Sequence, residues 1–303
     1  MTEQLTIMIP TKDKPEYLKR ALEYYEKEEF KGTILIGDSS TPPLELDYNL
    51  NIDYNYYPPS MLVGAVWAEM VKRVNTPYIV SAGDDDFIIL KGARECVYFL
   101  DNNPEFLASY GMRINFKTVN DTPRGEIERT IAFHMPDYTG TPEQRWELYL
   151  QNGRSTMFFI TRSEVVKELY DGCSGTPYVV DEFLPCSRMM LMGKCQPLST
   201  VTVAFQDRDG NALWDKTLMW DLIIKPDWSS SVEYVMKGLT ASLTQIGVAE
   251  PEKAARRSLY THVAKILYEQ LTYPPERYEW SHQDLTQGDM GEFWNPVKEA
   301  ISG

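Results

Sequence analysis

Asp84, Asp85 and Asp86 are three consecutive carboxylates set between two apolar runs, Tyr78 to Ala82 and Phe87 to Leu90. Burying one unpaired carboxylate costs several kcal/mol or forces its neutralisation, so three at the end of an apolar segment call for a cation, basic partners or water. A divalent ion is the economical answer. Hard ions such as Mg²⁺ take oxygen ligands and usually arrive with a phosphate-bearing substrate, which points to a nucleotide or nucleotide-sugar site beside these residues. The alternative is a solvated acidic turn.

The elements around the triplet must place it. Residues 5–10 form an apolar run, and Asp13-Lys14-Pro15-Glu16 reads as a helix start with Asp13 as cap and Glu16 three positions on. Leu18, Ala21, Leu22 and Tyr25 follow at helical spacing. Further strands are predicted at 33–37, 51–57 and 77–82, with helices at 63–74 and 91–100. This order, with strands too apolar to face water, argues for a parallel-dominated sheet covered on both faces. Ligands of such sheets sit at the carboxyl ends of the strands, where Thr11, Asp38 and the triplet all fall. Thr11 and Asp38 taken singly are equally ordinary strand-end turn residues. Beyond residue 105 the spacing predicts strands at 106–116, 156–161 and 198–205, and helices at 144–150, 163–170 (capped by Ser163) and 181–192. The stretch 120–140 reads as a polar loop, and Pro185 as a first-turn proline. Long helical patterns at 231–246 and 252–271 precede a tail bearing Trp280 and Trp294.

Composition narrows the class. With 303 residues the chain has room for a large core, and 30 basic against 44 acidic residues give a net charge of -14. Attraction to a nucleic-acid backbone is therefore not expected. Cys96, Cys173, Cys186 and Cys195 have neither C-x-x-C nor zinc-finger spacing, which implies a reducing compartment without structural zinc. No run of about eighteen apolar residues occurs. The reading is a soluble, cytoplasmic chain.

The segments Thr6-Ile-Met-Ile-Pro-Thr11, Tyr17 to Leu22, Ile34 to Ser40 and Gly83-Asp84-Asp85-Asp86 together resemble the nucleotide-binding half of family 2-like glycosyltransferases with the GT-A fold. The resemblance implies an α/β architecture, a Rossmann-like mixed and mostly parallel sheet flanked by helices, with a C-terminal helical extension. It divides the chain into residues 1–215 (nucleotide and metal half 1–110, acceptor half 111–215) and a helical segment 216–303. It implies that Thr11 and Asp38 surround the nucleobase, with Asp38 accepting from a base N–H. Asp84 and Asp85 then belong to the nucleotide site, and Asp84 and Asp86 form the D-x-D element that holds Mn²⁺ or Mg²⁺ on the diphosphate of a nucleotide-sugar donor, a uridine one by preference.

Asp181-Glu182, Arg188 and Gly193 resemble the acceptor-side block of the same family, in which a Glu-Asp pair precedes an Arg and a Gly at fixed spacing. The order of the pair is reversed here, so the resemblance makes either Glu182 or Asp181 the general base that activates an acceptor hydroxyl, with inversion at the anomeric carbon. Both acids also suit the first turn of a helix. The family's metal-shell histidine has no counterpart in 202–208, where Asp207 or water takes its place. Arg154 and Trp214 are candidates for phosphate or acceptor contacts. Arg256, Arg257 and Lys265 among Leu259, Tyr260, Val263, Ile266 and Leu267 read as a packing or homo-oligomer helix, or as a peripheral contact with the inner face of a membrane for a lipid-linked glycan acceptor. Two other classes remain: a sugar-nucleotide pyrophosphorylase, disfavoured by the absence of glycine from Pro10 to Pro15, and a non-catalytic nucleotide- or glycan-binding protein.

Overall fold

The computed structural model describes residues 2–152, 155–171, 178–208, 223–272 and 285–303. The strands are β1 Leu5–Thr11, β2 Thr33–Asp38, β3 Asn51–Tyr56, β4 Tyr78–Ser81, β5 Phe87–Ile88, β6 Phe106–Thr118, β7 Ile127–Phe133, β8 Ile160–Arg162 and β9 Lys194–Gln206. The helices are α1 Pro15–Lys27, α2 Val63–Arg73, α3 Leu90–Asn102, α4 Pro142–Asn152, α5 Ser163–Tyr170, α6 Tyr178–Met192, α7 Trp228–Gln245, α8 Pro251–Thr272 and α9 Gly288–Ser302.

Among the described residues the strands form one sheet in the order β3-β2-β1-β4-β8-β6-β9-β5, with β7 added alongside β6. The ladders β3-β2, β2-β1, β1-β4 and β6-β9 are parallel, and the antiparallel ladders other than β6-β7 are two residues long. The expected mixed, mostly parallel sheet flanked by helices is what the chain forms. Strand alternation explains its two covered faces. Ile7, Ile9, Ile34, Ile36, Tyr78 and Val80 point into a core with α1, α3 and α9, while Met8, Leu35 and Ile79 point into a second core with α2 and α4 to α8. Register then aligns the carboxyl ends: Thr11 lies opposite Asp38, and Met8 opposite Ser81 three residues before Asp84.

Several local expectations change. Asp13 does not cap α1; it sits at φ 55 and its carboxylate accepts from Thr41 N at 3.0 Å, while Lys14 is the N-cap and Pro15 opens the helix. Arg162, not Ser163, is the N-cap of α5. The polar stretch 120–140 contains β7, folded back on β6 through Asn120 and Asp121, both in the left-handed region that Asn and Asp tolerate. Residues 156–159 turn rather than extend. Helix α6 begins at Tyr178, so Pro185 lies in its interior instead of its first turn. The boundary drawn at 215 falls outside the described residues. Helix α9 returns to the first half of the chain, with Trp294 2% exposed against Phe116 and with Val297 and Ile301 in the core beside α1 and α3.

Candidate active site

The ends of β1, β2 and β4 build one polar edge. Thr11 Oγ1 donates to Asp84 Oδ2 at 2.9 Å, and Ser39 N donates to Thr11 O, tying the β1 and β2 ends together. The triplet turns sharply after Gly83: Asp86 N donates to Gly83 O, and Asp86 Oδ2 accepts from Gly83 N at 3.1 Å. A Cβ on Gly83 would lie 2.7 Å from carboxylate oxygens of Asp85 and Asp86, so a larger residue there would push these carboxylates out of place. The other Asp86 oxygen accepts from Gln206 N at 3.0 Å, which fastens the triplet to the end of β9. Burial, then the charge of Asp85, pushes the carboxyls of both Asp84 and Asp86 up.

Four cations answer these carboxylates, and one of them, Arg113, acts on Asp86 against the effect of its burial. Lys14 Nζ lies 3.2 Å from Asp84 Oδ1 and 3.3 Å from Asp85 Oδ2, and Arg208 Nη2 lies 2.6 Å from the same Asp85 oxygen. The guanidinium of Arg208 also stands 4.3 Å over the Tyr17 ring. Arg20 is buried beneath the turn, donating to Asp85 O at 2.6 Å and to Gln206 Oε1 at 2.8 Å; burial lowers its pKa to about 10, which leaves it charged. Lys72 pairs with Glu69 and Arg73 with Asp53, both on the exposed surface. Lys14 and Arg208 were visible only as charges in two polar segments; their meeting at Asp85 depends on the register of β1, β4 and β9.

Asp38, buried at the end of β2, is engaged by its own loop. Its Oδ1 accepts from Ser40 N at 2.8 Å, and its Oδ2 from Leu44 N at 3.0 Å and the Tyr54 hydroxyl at 2.6 Å. Burial is the largest influence and acts upward, but these bonds outweigh it and hold the carboxyl below its ordinary range. Asp38 thus organises residues 38–44 at the end of β2.

The residues expected on the acceptor side fall on α6. Glu182 is half-buried, and its charge acts on the Tyr149 hydroxyl and on the Cys186 thiol, which burial first and Glu182 second push up to about 12. Thr156 Oγ1 lies 3.1 Å from Cys186 Sγ, and Met157 O accepts from Ser81 N, so a short path of contacts joins α6 to the end of β4. Arg188, one of the spacing marks, donates to the Glu168 and Leu169 carbonyls at the end of α5, and a Cβ on Gly193 would meet Leu107 at 2.5 Å. Both serve packing. Asp207 lies between Gln206 and Arg208 and donates its N–H to Phe116 O. The side chain of Asp181, and all of Arg154 and Trp214, lie outside the described residues.

Among the described residues no three His, Cys, Asp or Glu side chains form a ready metal cage. The triplet fits instead an ion that arrives with phosphate. Each Asp86 oxygen accepts one backbone N–H and keeps a second acceptor position. Lys14, Arg20, Arg113 and Arg208 all act on the three carboxylates, so the edge carries cations that could meet phosphate as well as acids that could hold an ion.

The chain matches no family model and no curated protein. Solved structures that align along it include S. aureus TarS 1–349 in complex with UDP-GlcNAc, at 12% identity and TM-score 0.48 over 94% of this chain and 95% of that one. S. aureus TarS 1–349 in complex with UDP aligns at 12% identity and TM-score 0.42 over 91% and 92%. A longer S. aureus TarS chain aligns at 12% identity and TM-score 0.44 over 93% of this chain but only 57% of its own length. Likeness at that level carries no information about ligand.

Proposed function

We propose that the chain is a nucleotide-sugar-dependent glycosyltransferase that moves a sugar, with inversion, from a uridine diphosphate donor to a hydroxyl of a glycan or lipid-linked glycan. The observation that carries this reading is the single edge at which Thr11, Asp38 and Asp84 to Asp86 meet, with Lys14 and Arg208 directed at the triplet. Edges of this kind, at the carboxyl ends of parallel strands, are where such sheets take their ligands. Mn²⁺ or Mg²⁺ held by Asp86 and Asp84 would supply Lewis-acid stabilisation of the departing diphosphate. Glu182, or Asp181 beside it, takes the proton from the acceptor hydroxyl.

A thermal-shift panel of nucleoside mono-, di- and triphosphates with and without Mn²⁺, followed by sugar release from any stabilising donor, tests this reading. Metal-enhanced stabilisation by UDP with slow hydrolysis of a UDP-sugar supports it. Pyrophosphate release from a triphosphate would replace it with a pyrophosphorylase, and binding without turnover with a non-catalytic binder.

A further inference from the structure

Two cations converge on one carboxylate oxygen at the proposed nucleotide edge, Lys14 through long hydrogen bonds and Arg208 with part of its fork unused. Arg208 is 8% exposed in its side chain, and although Nη2 is 2.6 Å from Asp85 Oδ2, neither Nη2 nor Nε makes a directed hydrogen bond. A guanidinium offers a rigid fork of donors suited to two oxygens side by side, and here part of that fork is buried without an acceptor. Its plane is fixed over Tyr17, so the fork cannot turn away to solvent without giving up that contact. Lys14 is the N-cap of the 13-residue α1 and makes no side-chain cap; its contacts of 3.2 and 3.3 Å exceed the roughly 2.7–2.9 Å of a tight charge-assisted bond. The start of a helix already carries partial positive charge, so an ammonium there needs an anion nearby. Asp84 and Asp85 meet that need loosely, and at 32% exposure the ammonium can reach a ligand arriving from solvent.

We propose that Lys14 and Arg208 are the diphosphate-binding residues of the donor site, and that Asp85 is an internal stand-in for phosphate that holds both cations until a nucleoside diphosphate displaces it. This assignment rests on the nucleotide-sugar reading and deepens it. Donor binding becomes an exchange of anions: the phosphates take Lys14 and Arg208, and the freed carboxylate charge faces the ion that accompanies the donor. Phosphate oxygens match the Arg208 fork better than the one Asp85 oxygen does, which gives the exchange its direction.

Calorimetric titration of the full chain with UDP and with UMP, in EDTA and in Mn²⁺, tests the assignment. The wild type is expected to bind UDP in EDTA more tightly than UMP. Lys14→Met and Arg208→Met are each expected to weaken UDP binding in EDTA by about tenfold or more while leaving UMP binding unchanged, which also reports an intact fold. Lys14→Arg is expected to keep the preference for UDP. Asp85→Asn removes the competing anion and is expected to tighten UDP binding in EDTA by about fivefold. A UDP-over-UMP preference that survives in both Met variants, UDP binding that appears only with Mn²⁺, or an Asp85→Asn variant that binds UDP no better overturns the assignment and leaves the nucleotide-sugar reading standing. Failure of the wild type to bind either nucleotide under any condition overturns both.

Discussion

Asp86 and Glu182 belong to opposite sides of the proposed reaction, and isosteric substitutions separate them. Asp86→Asn is expected to abolish Mn²⁺-dependent binding of a UDP-sugar in titration calorimetry. The same change turns an amide N–H₂ toward the backbone N–H of Gly83 or Gln206 and should lower unfolding stability by about 1–3 kcal/mol. Glu182→Gln is expected to leave donor binding intact and to cut transfer by about 10²–10⁴-fold. If Glu182→Gln is fully active and Asp181→Asn is not, the base is the preceding residue. At this scale the sequence displayed the acids but not their neighbours. The triplet, Thr11 and Asp38 could be read from types and spacing because strand ends are local. Lys14, Arg20 and Arg208 could not, because their partners lie 65 to 186 positions away in the chain. The Asp38 carboxylate accepts from Ser40, Leu44 and Tyr54, partners that its strand-end position alone does not name.

Helix α6 carries the candidate base and is held by elements from the end of the chain. His262 of α8 stacks on Phe183, the residue after Glu182, with ring centroids 4.2 Å apart. Burial, then Lys265, lowers the His262 pKa from 6.5 to about 4. The neutral ring is therefore favoured in the folded state, and the unfolded chain binds more protons between these two values. Stability from this group is complete above pH 6.5 and is lost as pH falls toward 4, on the order of 3 kcal/mol. Denaturant midpoints taken from pH 7 to 4 should show a smaller acid loss in His262→Phe than in the wild type. A second contact between elements is absolute: a Cβ on Gly92 of α3 would lie 1.9 Å from Val201 O of β9. Gly92→Ala should cost about 1–3 kcal/mol by thermal denaturation, with the sheet edge displaced. Elements with strong periodicity, such as β1, α1 and β2, were legible beforehand. The missed β7 and the early start of α6 were not, because a strand is recognised as such only by the partner it pairs with, and Pro185 inside a helix mimics a helix start.

Across the whole molecule, the sheet has its two cores closed by segments far apart in sequence. Helix α9 covers the first core, linked to α1 by Lys27–Glu299, to α3 by Lys91 with Glu292 and to the β6-β7 connection by Gly125 N donating to Ile301 O. Trp294→Ala should therefore lower global stability by about 3–5 kcal/mol, read from denaturant melts, although the residue lies far from the candidate site in sequence. Helices α7 and α8 pack on α6, with Leu239, Leu243 and Leu259 buried in the second core and Lys265 donating to Gln151 O. No helix among the described residues is long and apolar enough to cross a membrane. The fold class was legible because apolar alternation and strand-helix order are averages over many residues. The return of α9 was not, because a tail carries no mark of what it packs against. Hydrogen–deuterium exchange with and without a UDP-sugar and Mn²⁺ tests directly the proposal that one strand-end edge takes the donor. The expected result is slowed exchange concentrated at residues 11–14, 38–44, 83–88 and 206–208. Ligand-dependent protection elsewhere with these segments unchanged, or no protection at saturating donor, would contradict it.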